Sequence, residues 1–271
     1  MTSLIWSVRR ELWEHRWVYL VPVLLGGTLI ATGAAISGMN TSGFAAATNP
    51  MSPRIARNLS LGLDTTTRMM FATTVIVAMV YCAEALQSER HDGSIVFWKS
   101  LPVGDATAVA AKAAIPLVFL PMLGLAMVLL CQLVAQATFA GTGGRFSSSL
   151  GTPMAAVTEA VVGTLWIAPV YAWILLVSSL ARRAVLLIAF LPLLLVSMIE
   201  RLSASSSGIG LSLLQRGVGR YWPRGHLDLV GGVDGLRAAP ATLLVRSPSL
   251  WIGVIAAALL LVAAVRARRS A

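Results

Sequence analysis

"SERHDGSIVFWKSLPVGD", residues 88–105, is the most polar stretch of a chain that is otherwise almost continuously apolar. Its spacing comes one residue short of a phosphate-binding loop. Gly93, four residues, then Trp98-Lys99-Ser100 would complete that pattern if position 98 were glycine. In such a loop the glycines let successive backbone amides close around phosphate, and the loop joins a strand to a helix. An indole at 98 fills that space, and the residues before 88 form an apolar run of helix length rather than a strand. The stretch is therefore a polar break between two membrane helices. Ser94 to Ser100 reads as a short amphipathic helix: Ile95, Val96, Trp98 and Leu101 can rest on an interface while Lys99 faces out. Ser94 is its N-cap, Pro102 ends it, and Glu89, Arg90, His91 and Asp92 form a charged elbow before it.

Composition fixes the solvent. Of 271 residues 57% are apolar and 12% charged, against about a quarter charged in soluble domains. Crossing roughly 30 Å of hydrocarbon takes about 20 residues of helix. Charge-poor runs of that order occur at 17–38, 69–86, 109–138, 157–180, 184–199 and 250–265. The third has excess length and contains Pro116 and Pro121; the fifth and sixth are short. The expected fold class is thus an all-α membrane protein of six transmembrane helices.

The first 16 residues are not a signal peptide, whose basic residues precede its apolar core. Here Arg9, Arg10, Glu11, Glu14 and Arg16 alternate with apolar residues, and Ile5, Val8 and Leu12 follow helical spacing. Such a helix lies in the interface plane. Lys and Arg in short connections orient a membrane protein. Arg9, Arg10, Arg16, Arg90, Lys99, Lys112, Arg182, Arg183, Arg266, Arg268 and Arg269 fall on one side, which places both termini and residues 88–105 in the cytoplasm. The opposite side carries Arg54, Arg57, Arg68, Arg145 and six arginines of the 201–249 segment, so the raw count nearly ties and the short connections decide.

Several function classes are disfavoured. The net charge of +10 is scattered at helix ends, which anchors membrane proteins and is not a nucleic-acid footprint. Cys82 and Cys131 lie within spans with no paired ligands, and His15, His91 and His226 are far apart, so no metal site is expected. An ion-coupled carrier would place ionisable groups deep in the bilayer, and Glu84, Lys112, Glu159 and Glu200 all lie towards span ends. An integral-membrane enzyme would need clustered carboxylates or a nucleophile with its base; Glu89 with Asp92, or Ser212 with His226, are too few. These two classes remain the alternatives.

"YCAEALQSERHDGSIVFWKSLPVGD", residues 81–105, resembles the loop between the second and third helices of ABC-2 type permeases, the membrane subunits of ATP-binding-cassette exporters. The family form, E-R-x-x-G followed by L-P-V-S, reads here as Glu89-Arg90-His91-Asp92-Gly93 and Leu101-Pro102-Val103-Gly104, the last departing from serine. An N-terminal interfacial helix, six spans and a long outer segment at 201–249 extend the resemblance over the whole chain. It implies a non-catalytic permease in a bacterial cytoplasmic membrane, paired with a second permease subunit, a copy of itself, and with two ATPase subunits. ATP and magnesium would bind on the ATPase, with no cofactor or metal on this chain. Residues 88–105 would be the coupling segment: Glu89, Arg90 and Asp92 the elbow, Gly93 the turn, and Ser94, Trp98, Lys99, Leu101 and Pro102 on the docking helix. The 201–249 segment would hold short helices that shape the exit. Span side chains favour an amphiphilic or lipid-like cargo, with the substrate path unassigned. Gly33, Ala34, Ser37 and Gly38 allow close helix packing, which fits intrachain contact better than a dimer seam.

Overall fold

A computed structural model describes residues 2–44, 53–91, 104–139, 153–181, 184–202, 245 and 248–269. These are almost entirely helical, and among the described residues there is no strand. Helix α1 is Thr2–Glu14, α2 Trp17–Phe44, α3 Pro53–His91 and α4 Asp105–Ala114. A π-helical turn, Ile115–Phe119, joins α4 to α5, Leu120–Phe139. Then follow α6 Pro153–Leu180, α7 Val185–Leu202 and α8 Pro248–Arg269. The apolar runs read from the sequence coincide with these helices, the third crossing α4, the π-helical turn and α5.

Among the described residues four stretches are long and apolar enough to cross a membrane: Thr65–Gln87, Ala106–Ala137, Ala156–Leu180 and Leu250–Arg268. A shorter apolar stretch, Trp17–Thr32, belongs to α2. The first and third stretches are 67% buried, the others 33% and 22%. Helices α3 and α6 therefore form the centre, with α2, α5 and α8 packed around them. The core is built of Met70, Tyr81, Leu86, Ile167, Ile174 and Leu175, all nearly inaccessible. The outward faces carry Leu24, Met122, Leu133, Ile255 and Leu259, each more than 60% exposed. Large aliphatic side chains facing away from the protein all round are what a lipid solvent permits.

The third apolar run is interrupted by the π-helical turn. Pro121 has no N–H for the carbonyl of Leu117, and its ring would clash there in an unbroken α-helix. The chain widens by one residue instead, and the Leu120 N–H bonds to the Ile115 carbonyl five residues back. Just beyond, a close approach brings α3 and α5 together. A Cβ on Gly124 would lie 2.9 Å from Cγ2 of Thr74, and Thr74 is held in that rotamer by its hydroxyl donating to the Phe71 carbonyl at 2.8 Å. Only a residue without a side chain fits against that fixed methyl. At the other end of α6, Trp173 Nε1–H donates to the Ala189 carbonyl of α7 at 3.1 Å, fixing the α6–α7 pair.

One expectation is corrected. The charged elbow placed at Glu89–Asp92 is still helix through His91, because nothing before Gly93 breaks the helical pattern. The apolar residues at helical spacing in α1 fall in two environments. Val8 and Leu12 pack on the core with fully buried Glu11, while Ile5 is 66% exposed. At about 100° per residue the buried face centres between Glu11 and Val8, leaving Ile5 on its rim. The coupling helix expected at Ser94–Ser100, the outer segment from 203 to 244, and Arg182 and Arg183 lie outside the described residues.

Gly124→Ala should lower stability by about 1–3 kcal/mol, even though alanine is otherwise the better helix former by about 1 kcal/mol. Adding Thr74→Ala should restore most of the loss by removing Cγ2. Thermal unfolding of the purified variants in detergent measures both; an unaffected Gly124→Ala protein would mean that α3 and α5 do not meet there.

Candidate functional site

The site grows from one lysine. Lys112 stands alone in the apolar sequence Ala110-Ala111-Lys112-Ala113-Ala114 of α4 and is 2% exposed. An ammonium taken out of water needs a counter-charge and acceptors. Both are present. Its Nζ lies 2.9 Å from Glu11 Oε1 of α1 and donates to the backbone carbonyl of Ala85 in α3.

Glu11 is equally buried, at 2% exposure. Beyond Lys112 it accepts from the Tyr81 hydroxyl at 3.3 Å on Oε2 and from the Arg10 guanidinium at 3.3 Å on Oε1. Arg10 also pairs with Glu14 at 3.3 Å, so among the described residues two carboxylates face two cations. His15 stands edge-on to Tyr81, ring centroids 5.5 Å apart, closing the contact between α1 and α3.

A second tie holds α3 from the opposite side. The buried Ser178 hydroxyl of α6 donates to the Ala83 carbonyl at 2.8 Å, and its oxygen accepts from the Leu86 and Gln87 N–H groups at 3.3 and 3.1 Å. The last turns of α3 are thus bound by a serine of α6 on one flank and a lysine of α4 on the other.

The position of this knot is what makes it a candidate site. Helix α3 delivers the chain to segment 92–103 and α4 receives it. Ala85 lies six residues before the end of α3, Lys112 seven after the start of α4, roughly 9 and 10 Å along the helix axes. The two stems of the segment are therefore fastened to each other at matching depth, and both to α1.

Of the predicted site residues, Glu89 and Arg90 lie in the last turn of α3, with side chains outside the described part. Asp92, Gly93, Ser94, Trp98, Lys99, Leu101 and Pro102 lie wholly outside it. Gly104, where the motif departs from serine, is the N-cap of α4. Its carbonyl takes the first helical bonds, from Thr107 and Ala108 at 2.9 and 3.2 Å, and no side chain caps the turn. A Cβ there would meet nothing within 4 Å, so the serine of the family pattern would fit and supply the missing acceptor.

Two further features were weighed as ligand sites. Glu11, Glu14 and His15 bring potential metal ligands within 4.8 Å of one another, but both carboxylates already hold Arg10 and Lys112. A cation would have to displace an arginine or a lysine. A cavity of about 20 Å³ between α3, the π-helical turn and α6 is lined by Phe71, Thr74, Pro116, Thr164 and Tyr171; it has room for a water molecule and no larger guest.

Sequence reasoning missed the pairing of Lys112 with Glu11 and the role of Ser178. A lone lysine in an apolar run signalled that a carboxylate must reach it, but Glu11, Glu14, Glu84 and Glu89 were all candidates. No family model matches the chain, and no curated protein and no solved structure is significantly similar to it.

Breaking the pair should cost more than removing it. Lys112→Met leaves buried Glu11 with only the half-exposed Arg10 as counter-charge and should destabilise the protein by about 3 kcal/mol. The double variant Glu11→Leu with Lys112→Met should recover much of that loss. Unfolding midpoints of the three variants decide it; losses that simply add would show that the two groups are not coupled.

Proposed function

We propose that this chain is the membrane-spanning permease subunit of an ATP-binding-cassette exporter of the ABC-2 type. It resides in a bacterial cytoplasmic membrane with α2 and α7 completing six spans and both termini in the cytoplasm. It acts as a homodimer with two separate ATPase subunits, which bind ATP and magnesium, and it catalyses no chemistry itself. The cargo is amphiphilic or lipid-like, in keeping with outward and core surfaces that offer apolar and small polar groups.

The observation that carries this reading is the knot at the base of segment 92–103. A docking element must pass force from a soluble partner to membrane helices, which a loop on loose stems would dissipate. Lys112 fastens the stems to each other and to α1, and Ser178 fastens α3 to the central helix α6. A displacement at the segment would move α1, α3, α4 and α6 together, the rigid-body coupling that alternating access requires. The Glu89-Arg90-x-x-Gly93 and Leu101-Pro102-Val103 elements lie at the two ends of that segment.

The near-miss to a phosphate-binding loop has no support from the backbone. A helix, α3, enters the segment where such a loop needs a strand. A carrier reading meets a different obstacle. The buried lysine and glutamate that a carrier could use, Lys112 and Glu11, are already paired with each other, two turns from the loop rather than deep in the apolar bundle.

Glu89→Lys or Gly93→Val should leave the helices inserted and folded, since both positions lie at or beyond the end of α3. Either change should weaken association with the ATPase by roughly thirtyfold or more, the equivalent of about 2 kcal/mol or above for a charge stranded at an interface, or leave ATP hydrolysis running without transport. Asp234→Lys, an equally drastic change in the outer segment, should spare the association. Co-purification and ATPase assays read the outcome; wild-type behaviour of both variants would reduce residues 88–105 to a simple connection.

A further inference from the structure

Helix α1 has a second face that the knot does not use. Opposite Val8, Glu11 and His15, the side chains of Trp6, Arg9, Trp13 and Arg16 are all exposed, the two indoles at 65% and 63%. At about 100° per residue Trp6, Arg9 and Trp13 fall within an arc of roughly 60°, and exposed Arg16 follows in the turn after Glu14. The four alternate along the chain as tryptophan, arginine, tryptophan, arginine. The Arg9 guanidinium lies over the Trp6 ring at 5.5 Å, and that of Arg16 over Trp13 at 6.0 Å. Arg10, on the flank, is committed to Glu11 and Glu14. Among the described residues no carboxylate forms an ion pair with Arg9 or Arg16, and each guanidinium is braced on an indole.

The chain itself sets the depth of this face. Only the turn at His15–Arg16 separates α1 from α2, whose first four turns are apolar and expose Leu20, Val21, Val23 and Leu24. Hydrocarbon therefore begins within one turn of Arg16, and the inner face of α1 is fixed to α4 by the ion pair. The Trp/Arg face must lie at the level of the headgroups. Indoles favour that level, and a guanidinium stacked on an aromatic plane keeps its donor edge free for a phosphate.

We propose that this face of α1 and the turn after it is a binding surface for anionic phospholipid, with Arg9 and Arg16 each taking a headgroup phosphate and Trp6 and Trp13 seated among the upper acyl chains. The proposal goes beyond transport: it assigns a lipid-headgroup preference to the anchoring helix. It rests on the membrane-embedded part of the reading above and not on the ATPase. Through Glu11 and Lys112 the headgroup contact reaches the stems of segment 92–103, so leaflet charge bears on the same rigid unit.

The test is native mass spectrometry of the full chain in mild detergent, titrated with phosphatidylglycerol and, separately, with phosphatidylcholine. Phosphatidylglycerol should show a class of tight sites that phosphatidylcholine lacks. Arg9→Gln with Arg16→Gln should weaken that class about thirtyfold, roughly fivefold per guanidinium near an anionic surface, and leave phosphatidylcholine binding unchanged. Arg266→Gln, an exposed arginine at the far end of α8, should retain the tight class. Millimolar glycerol phosphate should not compete, because the indoles require an acyl chain. A tight class that survives the double variant, or is lost equally in Arg266→Gln, overturns the assignment. Effective competition by glycerol phosphate overturns the lipid and leaves a soluble phosphate ligand. Failure to retain either lipid would contradict membrane embedding itself. Both arginines are exposed, so folding is not at stake; Arg9→Lys with Arg16→Lys, keeping charge but losing the planar edge, should fall between wild type and the glutamine variant.

Discussion

An ammonium group cannot be buried among apolar helices without a partner, and the way Lys112 meets that demand organises the cytoplasm-facing end proposed for this bundle. One side chain from α4 reaches a carboxylate of α1 and a backbone carbonyl of α3. Such a pair adds little net stability, because desolvation offsets most of the attraction. Its value lies in specificity. Three elements far apart in sequence are brought to one register, and any slip of α1 along α4 would leave a charge buried and unpaired. Tyr81, Arg10 and Glu14 extend the pair into a cluster, so its members hold one another in place as a network.

The rest of the bundle uses the devices that remain when lipid, not water, surrounds the helices. Apolar side chains outside are matched by apolar chains inside, so burial alone selects no arrangement. Close contacts take over: Gly124 against the Thr74 methyl, Ser178 bridging to the backbone of α3, Trp173 reaching Ala189 of α7. The π-helical turn at Ile115–Phe119 lies between the knot and the Gly124 contact. It offsets the face that α4 presents to α1 from the face that α5 presents to α3.

The helices were legible because their signal is long: runs of apolar residues with charges only at the ends admit one structure in a bilayer. The polar stretch 88–105 was read as a break from its charges, Gly93 and Pro102, and only its flanks, α3 to His91 and α4 from Asp105, are described. What could not be read was pairing across the fold. Glu11 looked like one of five alternating charges on a surface helix, and only the position of α1 against α4 reveals it as buried. Ile5 fitted the helical period as well as Val8, yet a face narrower than the period allows excluded it. Ser178 carried no signal at all, because serine in a membrane helix more often bonds its own preceding turn, as neighbouring Ser179 does with the Leu176 carbonyl. The docking residues themselves were named from a resemblance, and the structure contributes the stems on which they stand.

The central claim is that this chain is the membrane half of a machine whose fuel is bound elsewhere. Its most direct test is to isolate the tagged chain from its own membrane in mild detergent, weigh the intact complex, and map where ATP binds. The account predicts two copies of this chain with two copies of an ATPase that lacks membrane helices, all nucleotide residing on the latter. A chain recovered alone, binding ATP saturably or moving substrate without a partner, would contradict it.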